Sequence, residues 1–292
     1  MLLDGGFGNA GVQSHKQGGP EGAPTTVWSS SLSPVLSVVV PLRDEALNVE
    51  PLFHEITRAL AALPLEYEVI LIDDGSVDET FANLTSIQSR DVRIRIIRFT
   101  RNFGQTAAFA AGFASARGQW IATMDGDLQN DPADIPRLLR IAQSKDIVCG
   151  WRKRRHDALL TRHVPSVIAN WLLARISGLD LHDNGCSLKV YRASVVKPLR
   201  LRSGMHRYLP ALASQLGPRV AEVVVNHRPR RFGHSKYGLS RTLRVVLDLI
   251  QLPRLMRGAV DPATPQVRYE VATVLESEAD TTTRTAGTHR VN

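Results

Sequence analysis

The chain alternates short, unbroken runs of β-branched and aliphatic residues with longer stretches in which apolar positions recur every three or four residues. Leu36-Ser-Val-Val-Val-Pro41 has the length and composition of a buried strand. Past Leu42-Arg43-Asp44-Glu45, the apolar positions Val49, Leu52, Phe53, Ile56 and Leu60 take up helical spacing. Glu68-Val-Ile-Leu-Ile72 repeats the plan, followed by a polar glycine turn and a helix from about Asp78 to Ser89. Val92 to Phe99 predicts a third strand, Gln105 to Arg117 an alanine-rich helix ended by Gly118, and Trp120 to Met124 a fourth strand. A helix then starts at Pro132 with Asp131 as its cap, before a strand over Asp146 to Cys149. Strands alternating with helices in this way predict the α/β class: right-handed βαβ units in a mostly parallel sheet flanked by helices.

A parallel sheet places its strand-to-helix turns on one edge, where such folds bind ligands. Three polar turns fall there: Arg43–Glu45, Asp73–Ser76 and Asp125–Gln129. Asp125 and Asp127 flank Gly126, so the turn can aim both carboxylates at one centre, and Gln129 adds a third hard oxygen of the kind Mg²⁺ or Mn²⁺ accepts. Taken alone, an Asp-x-Asp is ordinarily a solvated turn with a helix cap; its placement at a strand's carboxyl end is what sets this one apart. Asp73 and Asp74 suit the turn before Gly75. Neither a G-x-G-x-x-G nor a G-x-x-x-x-G-K sequence occurs. Any diphosphate binding would therefore have to lean on a metal and on Lys or Arg.

With 292 residues, 43% of them hydrophobic, the chain can bury the core of one large domain or two small ones. Residues 1–34 are rich in Gly, Ser and Pro and residues 259–292 in Thr, Ala and Glu, both without periodicity, so both ends are expected to be disordered. The ends are slightly acidic, which concentrates the net charge of +8 in the middle and implies an anionic partner. Cys149 and Cys186 give neither a disulfide framework nor metal spacing and are expected to be reduced thiols. The N-terminus lacks the pattern of a signal peptide, no internal repeat is present, and no run of about 18 apolar residues predicts a membrane span.

Taken together, Val38-Val-Val-Pro41, Asp73-Asp-Gly-Ser76, Asn102-Phe-Gly-Gln-Thr-Ala-Ala108, Asp125-Gly-Asp-Leu-Gln129, Asp183-Asn-Gly-Cys186 and Arg231-Phe-Gly-His-Ser-Lys-Tyr-Gly238 resemble the family 2 glycosyltransferases. Within that family the likeness is to the dolichyl- and polyprenyl-phosphate hexosyltransferases, of which dolichol-phosphate mannose synthase is an example, and it covers about residues 35–250. The resemblance implies a GT-A (Rossmann-like) fold and transfer of a hexose, with inversion, from a UDP- or GDP-sugar to a polyprenyl phosphate. It implies that Pro41, Arg43, Glu45, Ile72 and Asp74 hold the nucleoside, that Asp125, Gly126, Asp127 and Gln129 hold the metal and diphosphate, and that Arg152, Arg231 and Lys236 meet donor and acceptor phosphates. Asp127, Arg152 and Asp183 are the candidate catalytic residues. Two departures matter: the family often has Tyr where Arg43 stands and Asn where Asp44 stands, and many of its bacterial members end in two transmembrane helices, which this sequence is not expected to form. A guanidinium stacks on a base as an aromatic ring does.

Several choices stay open on sequence alone. A phosphate monoester is already largely a dianion near neutral pH, its second pKa being about 6. Asp183 is therefore either a general base or a group that orients a sugar hydroxyl or a basic residue. Cys186 beside it reads as packing. Arg152-Lys153-Arg154-Arg155 is either a solvated face or a contact for acceptor phosphate and lipid headgroups. The basic stretch Asn226–Gly238 has the make-up of a loop that closes over a diphosphate. Residues 238–258 are expected to form an amphipathic helix, with Leu239, Leu243, Val246, Leu247 and Ile250 on one face and Arg241 and Arg244 on the other. That helix, and Val164 to Ile176, either pack on the domain or lie in a membrane interface.

The domain plan that follows is residues 1–34 disordered, 35–237 the GT-A domain, 238–258 the interfacial helix and 259–292 a disordered tail. The expected setting is cytoplasmic, peripheral on the cytosolic face of a membrane. The expected partners are the nucleotide sugar, the lipid phosphate, the membrane surface and a membrane-anchoring protein, with no nucleic acid. Two rivals remain: a family 2 transferase acting on a saccharide or protein hydroxyl, and an inactive basic binding module.

Overall fold

Strands so apolar that both faces must be covered build the centre of the sheet. The computed structural model describes residues 35–153, 172–232 and 251–276. β1 (Leu36–Leu42) runs parallel to β2 (Tyr67–Asp73) on one side and to β4 (Trp120–Thr123) on the other, and β2 runs parallel to β3 (Ile94–Phe99). All seven residues of β2 and all four of β4 are buried. The crossovers are α1 (Ala46–Leu60), α2 (Thr80–Gln88) and the alanine-rich α3 (Gln105–Ser115), whose residues 106–113 are all buried. Asp131 caps the next helical segment as expected, accepting a hydrogen bond from the Ala133 N–H at 3.1 Å, and a 3₁₀ turn over Pro132–Asp134 leads into α4 (Ile135–Ala142).

Beyond β4 the βαβ pattern ends. β5 (Ile147–Trp151) follows α4 but does not pair with β4; β6 (Lys189–Arg192) lies between them, antiparallel to both. β7 (Val220–Val224) adds parallel to β5, and β8 (Val271–Leu275) adds antiparallel to β3. The eight-stranded order is β7-β5-β6-β4-β1-β2-β3-β8, a parallel centre with mixed flanks. None of β6, β7 and β8 was expected. They are four or five residues long, and the edge strands β7 and β8 have no fully buried position, so neither carries an unbroken apolar signal.

Residues 172–177 form α5, with Leu173 buried and Leu172 and Ile176 packed on the main core. Two short helices, α6 (Ala193–Val196) and α7 (Leu209–Ala213), follow, then α8 over residues 251–260. Leu252, Met256 and Ala259 of α8 are buried in the same core. Over residues 251–258 the expected interfacial helix packs Leu252 and Met256 on the domain, while the apolar face named from sequence, within residues 238–250, lies outside the described residues, as do residues 164–171 and 1–34. The expectation of a disordered tail from residue 259 is overturned as far as residue 276. Tyr269 stacks on Phe99 at 5.1 Å, and β8 covers the edge of β3. Among the described residues no helix is long and apolar enough to cross a membrane.

The amino edge of the sheet is locked by a buried ion pair. Arg95 at the start of β3 donates to Glu68 at 2.8 Å and to the Ser115 carbonyl at 2.8 Å, and it also pairs with Glu276 just past β8. Glu68 in turn accepts from Ser37 Oγ and the Arg117 N–H, both at 2.6 Å. Arg95 and Glu68 side chains are 5% and 6% exposed, so neither charge has water to fall back on. Removing one partner strands the other, which typically costs about 3–5 kcal/mol. Glu68→Ala is therefore expected to lose about that much stability in urea unfolding. Glu276→Ala, at a carboxylate 22% exposed, should lose clearly less. Equal small losses from both would show that the edge is not held by this pair.

Candidate active site

Every strand of the parallel centre hands its following turn to the carboxyl edge. After β1, Asp44 takes a left-handed conformation (φ 49°) that lets its N–H donate to Ser76 Oγ at 2.9 Å while its carboxylate accepts from the Val77 N–H at 3.0 Å. The Glu45 N–H donates to Thr80 Oγ1 at 2.8 Å, so the turns after β1 and β2 are stitched together. Within the second turn Asp73 is wholly buried and accepts from the Ser76 N–H at 2.9 Å, the role of a turn former. Asp74 accepts from the N–H groups of Phe103 (2.7 Å) and Gly104 (3.0 Å), which fastens the turn after β3 to the turn after β2. Burial raises the Asp74 pKa against the pull of those two N–H groups. Gly75 has to be glycine: at φ 68° a Cβ would sit 2.3 Å from the Arg101 carbonyl carbon.

The turn after β4 is drawn tight. A Cβ on Gly126 would meet Leu42 at 3.0 Å, and Leu128 sits buried at φ 62°, a conformation costly for a branched side chain. Asn130 accepts from the Asp125 N–H at 3.3 Å and from Ser187 Oγ at 2.7 Å, and Gln105 donates to Asp125 at 2.7 Å. Asp127 receives a hydrogen bond from Arg230 at 2.6 Å. Its pKa is pushed up to about 6, by burial first and then by the negative charge of Asp125, with Arg230 pulling the other way.

A cavity of about 370 Å³ opens where these turns meet. Pro41, Arg43, Glu45, Asp74, Asp125, Gly126 and Asp127 line it, so seven of the residues assigned from sequence come together there. Others do not. Ile72 is wholly buried within the central core and does not reach the cavity. Gln129 is turned away: its side-chain amide donates weakly, at 3.4 Å, to the Arg228 carbonyl, so the expected third metal oxygen is not among the cavity lining. Arg231 is exposed and lies against the Phe232 ring; its neighbour Arg230 is the one that enters the cavity. Alternate residues of an extended segment point opposite ways, so a one-residue error reverses the assignment. Lys236, Arg154 and Arg155 lie outside the described residues.

Arg152 and Asp183 form a unit of their own beside the cavity. Arg152 donates to both Asp183 oxygens, at 2.7 and 3.0 Å, with side chains 13% and 7% exposed. Burial works against the Arg152 charge, yet the Asp183 contacts, with Asp125 further off, hold its pKa above the ordinary guanidinium value. Of the two sequence readings of Asp183, this geometry matches the one in which it orients a basic residue. Cys186 is fully buried and its thiol pushed up to about 11 by burial, although Arg152 and Lys189 stand near enough to pull it down. It packs.

The basic stretch expected to close over a diphosphate is docked on the domain over its described part. The Arg228 N–H donates to the Gln129 carbonyl at 2.9 Å, its guanidinium reaches Glu55 and Asp131, both at 2.7 Å, and the Asn226 N–H donates to Asp134 at 2.7 Å. Sequence reasoning also missed Asn102, Gln105, Thr106, Ser203, His206 and Arg207, all of which line the cavity. Asn102 and Gln105 follow β3 on the same edge, so the edge rule reaches them. Residues 203–207 lie in a stretch with no periodicity, and nothing in the sequence signals them.

Two carboxylates with hard oxygens and incomplete counter-charge suit a divalent cation, which commonly takes one or two protein carboxylates and fills its remaining positions with water and substrate phosphate. Among the described residues no group of three His, Cys, Asp or Glu side chains gathers to ligate one, so a cation here would depend on its substrate.

Comparison with known proteins agrees with this architecture. The family model for glycosyl transferase family 2 matches residues 37–200. The chain is 47% identical over 232 residues to a dodecaprenyl-phosphate galacturonate synthase of Rhizobium johnstonii, an alignment covering 78% of this chain and 69% of the relative. It is 37% identical over 217 residues to an undecaprenyl-phosphate 4-deoxy-4-formamido-L-arabinose transferase of Yersinia pestis, covering 74% of this chain and 66% of the relative. Among solved structures, glucosyl-3-phosphoglycerate synthase from Mycobacterium tuberculosis, in complex with Mn²⁺, UDP and glucosyl-3-phosphoglycerate, shares the fold. Its TM-score is 0.60 at 17% identity, over 78% of this chain and 82% of that one. On the family match and the 47% relative, the chain belongs to glycosyl transferase family 2.

Proposed function

We propose that this glycosyltransferase moves a hexose, with inversion, from a UDP- or GDP-sugar to a polyprenyl phosphate. We further propose that it works on the cytosolic face of a membrane to which it is peripherally attached. The observation that carries the reading is that Glu45, Asp74 and the pair Asp125 and Asp127, drawn from three different turns, line one cavity large enough for a nucleotide's polar core. The two relatives named above act, by their names, on polyprenyl phosphates, which supports the acceptor class. Because a long polyprenyl chain does not leave its bilayer, attachment to the lipid surface, directly or through a membrane-anchoring partner protein, belongs to the same proposal.

In this reading Pro41, Arg43, Glu45 and Asp74 hold the nucleoside end of the donor. Asp125 and Asp127 would hold Mg²⁺ or Mn²⁺, whose chemistry is to neutralise the charge that grows on the departing diphosphate. Arg152, kept charged and oriented by Asp183, meets the acceptor phosphate. Since that phosphate is already largely ionised near neutral pH, its attack needs orientation more than proton removal.

Three outcomes are expected. Isothermal titration with UDP- and GDP-sugars should show binding that requires Mn²⁺ or Mg²⁺ and weakens roughly tenfold or more in Asp125→Asn and Asp127→Asn. Nucleotide affinity indifferent to the cation and to both substitutions would remove the reading. Asp183→Asn removes the counter-charge of Arg152, so the lipid-phosphate KM should rise while measurable turnover survives. Abolished turnover at unchanged acceptor affinity would instead make Asp183 a base for a hydroxyl acceptor. Third, in the cation-free chain Asp127 holds its proton more tightly folded than unfolded, with a folded pKa of about 6. The stability this proton contributes is present below the ordinary carboxylate range and is lost as pH rises through about 6. In urea unfolding with chelator, wild type should therefore weaken relative to Asp127→Asn between about pH 4 and pH 7, by up to about 3 kcal/mol at 1.36 kcal/mol per pKa unit. A difference that does not change with pH would mean that Asp127 is not held protonated.

A further inference from the structure

We infer that Arg207 is a receptor for an oxyanion of the substrate other than the donor diphosphate: a carboxylate on the transferred sugar or the phosphate of the acceptor. Arg207 lines the cavity, yet its Nε and Nη1 are buried from solvent and, among the described residues, have no hydrogen-bond partner. The other two cavity arginines are engaged. Arg230 binds Asp127 at 2.6 Å and approaches Glu45 at 3.9 Å, and Arg43 lies 3.4 Å from Asp44. Two guanidinium nitrogens withdrawn from water without an acceptor are costly, and a native protein that keeps them beside a cavity usually has an occupant for them.

The wall that presents it is built without help from the Arg207 side chain. Residues Met205–Tyr208 form a 3₁₀ turn whose ends, Met205 and Tyr208, are 1% and 3% exposed and sit in the main core. Gly204 enters the turn in the left-handed region (φ 89°) and donates its N–H to Thr106 Oγ1 at 3.0 Å, and the same hydroxyl bonds His206 Nδ1 at 2.7 Å. α3 therefore fixes the turn, and the turn fixes where the fork of Arg207 begins. That fork matches a planar carboxylate or a phosphate edge with two parallel hydrogen bonds.

The identity of the ligand rests on the glycosyl-transfer reading, in which the diphosphate belongs with Asp125 and Asp127. The remaining anions of such a reaction are, for a uronic-acid donor, the sugar carboxylate, and the acceptor phosphate, which Arg207 would share with Arg152. Arg207→Gln and Arg207→Lys separate these sources. Donor affinity is measured with a UDP-hexuronate and a UDP-hexose in Mn²⁺, acceptor KM with a short-chain polyprenyl phosphate, and folding by thermal unfolding. If the sugar carboxylate is bound, Arg207→Gln loses about tenfold or more in affinity for the hexuronate donor alone, with partial recovery in Arg207→Lys. If the acceptor phosphate is bound, only the acceptor KM rises. Unchanged values in both arms, or a loss shared equally by the neutral donor, overturn the inference. A separate readout follows the Arg207 Nε–H resonance, assigned with the Arg207→Gln variant, during titration with inorganic phosphate and with free glucuronate. A shift in protein that fails to bind any UDP-sugar would uphold the oxyanion site and discard the glycosyl-transfer reading; no shift with either anion, in protein that does bind UDP-sugars, would do the reverse.

Discussion

Two carboxylates placed one residue apart in a buried turn repel each other, and what supplies the missing positive charge organises the carboxyl edge of this protein. Asp125 and Asp127 cannot separate, because Gly126 is pressed against Leu42 and Leu128 is held at a positive φ. The chain answers with Arg230, delivered by a segment docked through Asp131, Asp134 and the Gln129 backbone. That answer is incomplete, since Asp127 still holds its proton more tightly than an ordinary carboxylic acid. A site that is compensated but not neutral is poised to take a cation that brings its own anionic partner.

The opposite edge shows the contrasting solution. There Glu68 and Arg95 are also buried, but each is surrounded by committed donors and acceptors, including Ser37 and the Ser115 carbonyl. Charge at the amino edge is closed and serves stability, whereas charge at the carboxyl edge is left partly open and is kept there by backbone strain at Asp44 and Leu128. A parallel sheet makes this division natural, because every helix dipole and every strand-to-helix turn faces the same way.

What the sequence disclosed follows the same division. The parallel centre was legible because strands buried on both faces read as solid apolar runs, and the three polar turns after β1, β2 and β4 could be placed from strand direction alone. The flanks were not. β6 is four residues long, and β8 exposes Val271 and Val274, so its pairing with β3 depends on partners such as Glu276 and Tyr269 that no local pattern reveals. Side-chain direction was harder still. Arg230 and Arg231 are equivalent by composition, and only the docking of residues 226–228 decides which one faces Asp127. Ile72 and Gln129 were assigned by motif position, yet the core and the Arg228 carbonyl respectively claim their side chains.

The division of charge also separates binding from chemistry within the cavity. Residues from the turns after β1 and β4 bring acid, while the 3₁₀ turn over Met205–Tyr208 brings a guanidinium from a part of the chain that shares no strand with them. A nucleotide sugar is itself divided, with negative charge at the diphosphate and a pattern of hydroxyls or a carboxylate on the sugar. If that acidic floor takes a cation, it sees only the diphosphate and cannot tell one sugar from another. Discrimination must come from a wall that is independent of the cation, and the turn anchored by Thr106, Met205 and Tyr208 has that independence. Changes in that wall would therefore alter what is recognised while leaving the carboxylate pair in place.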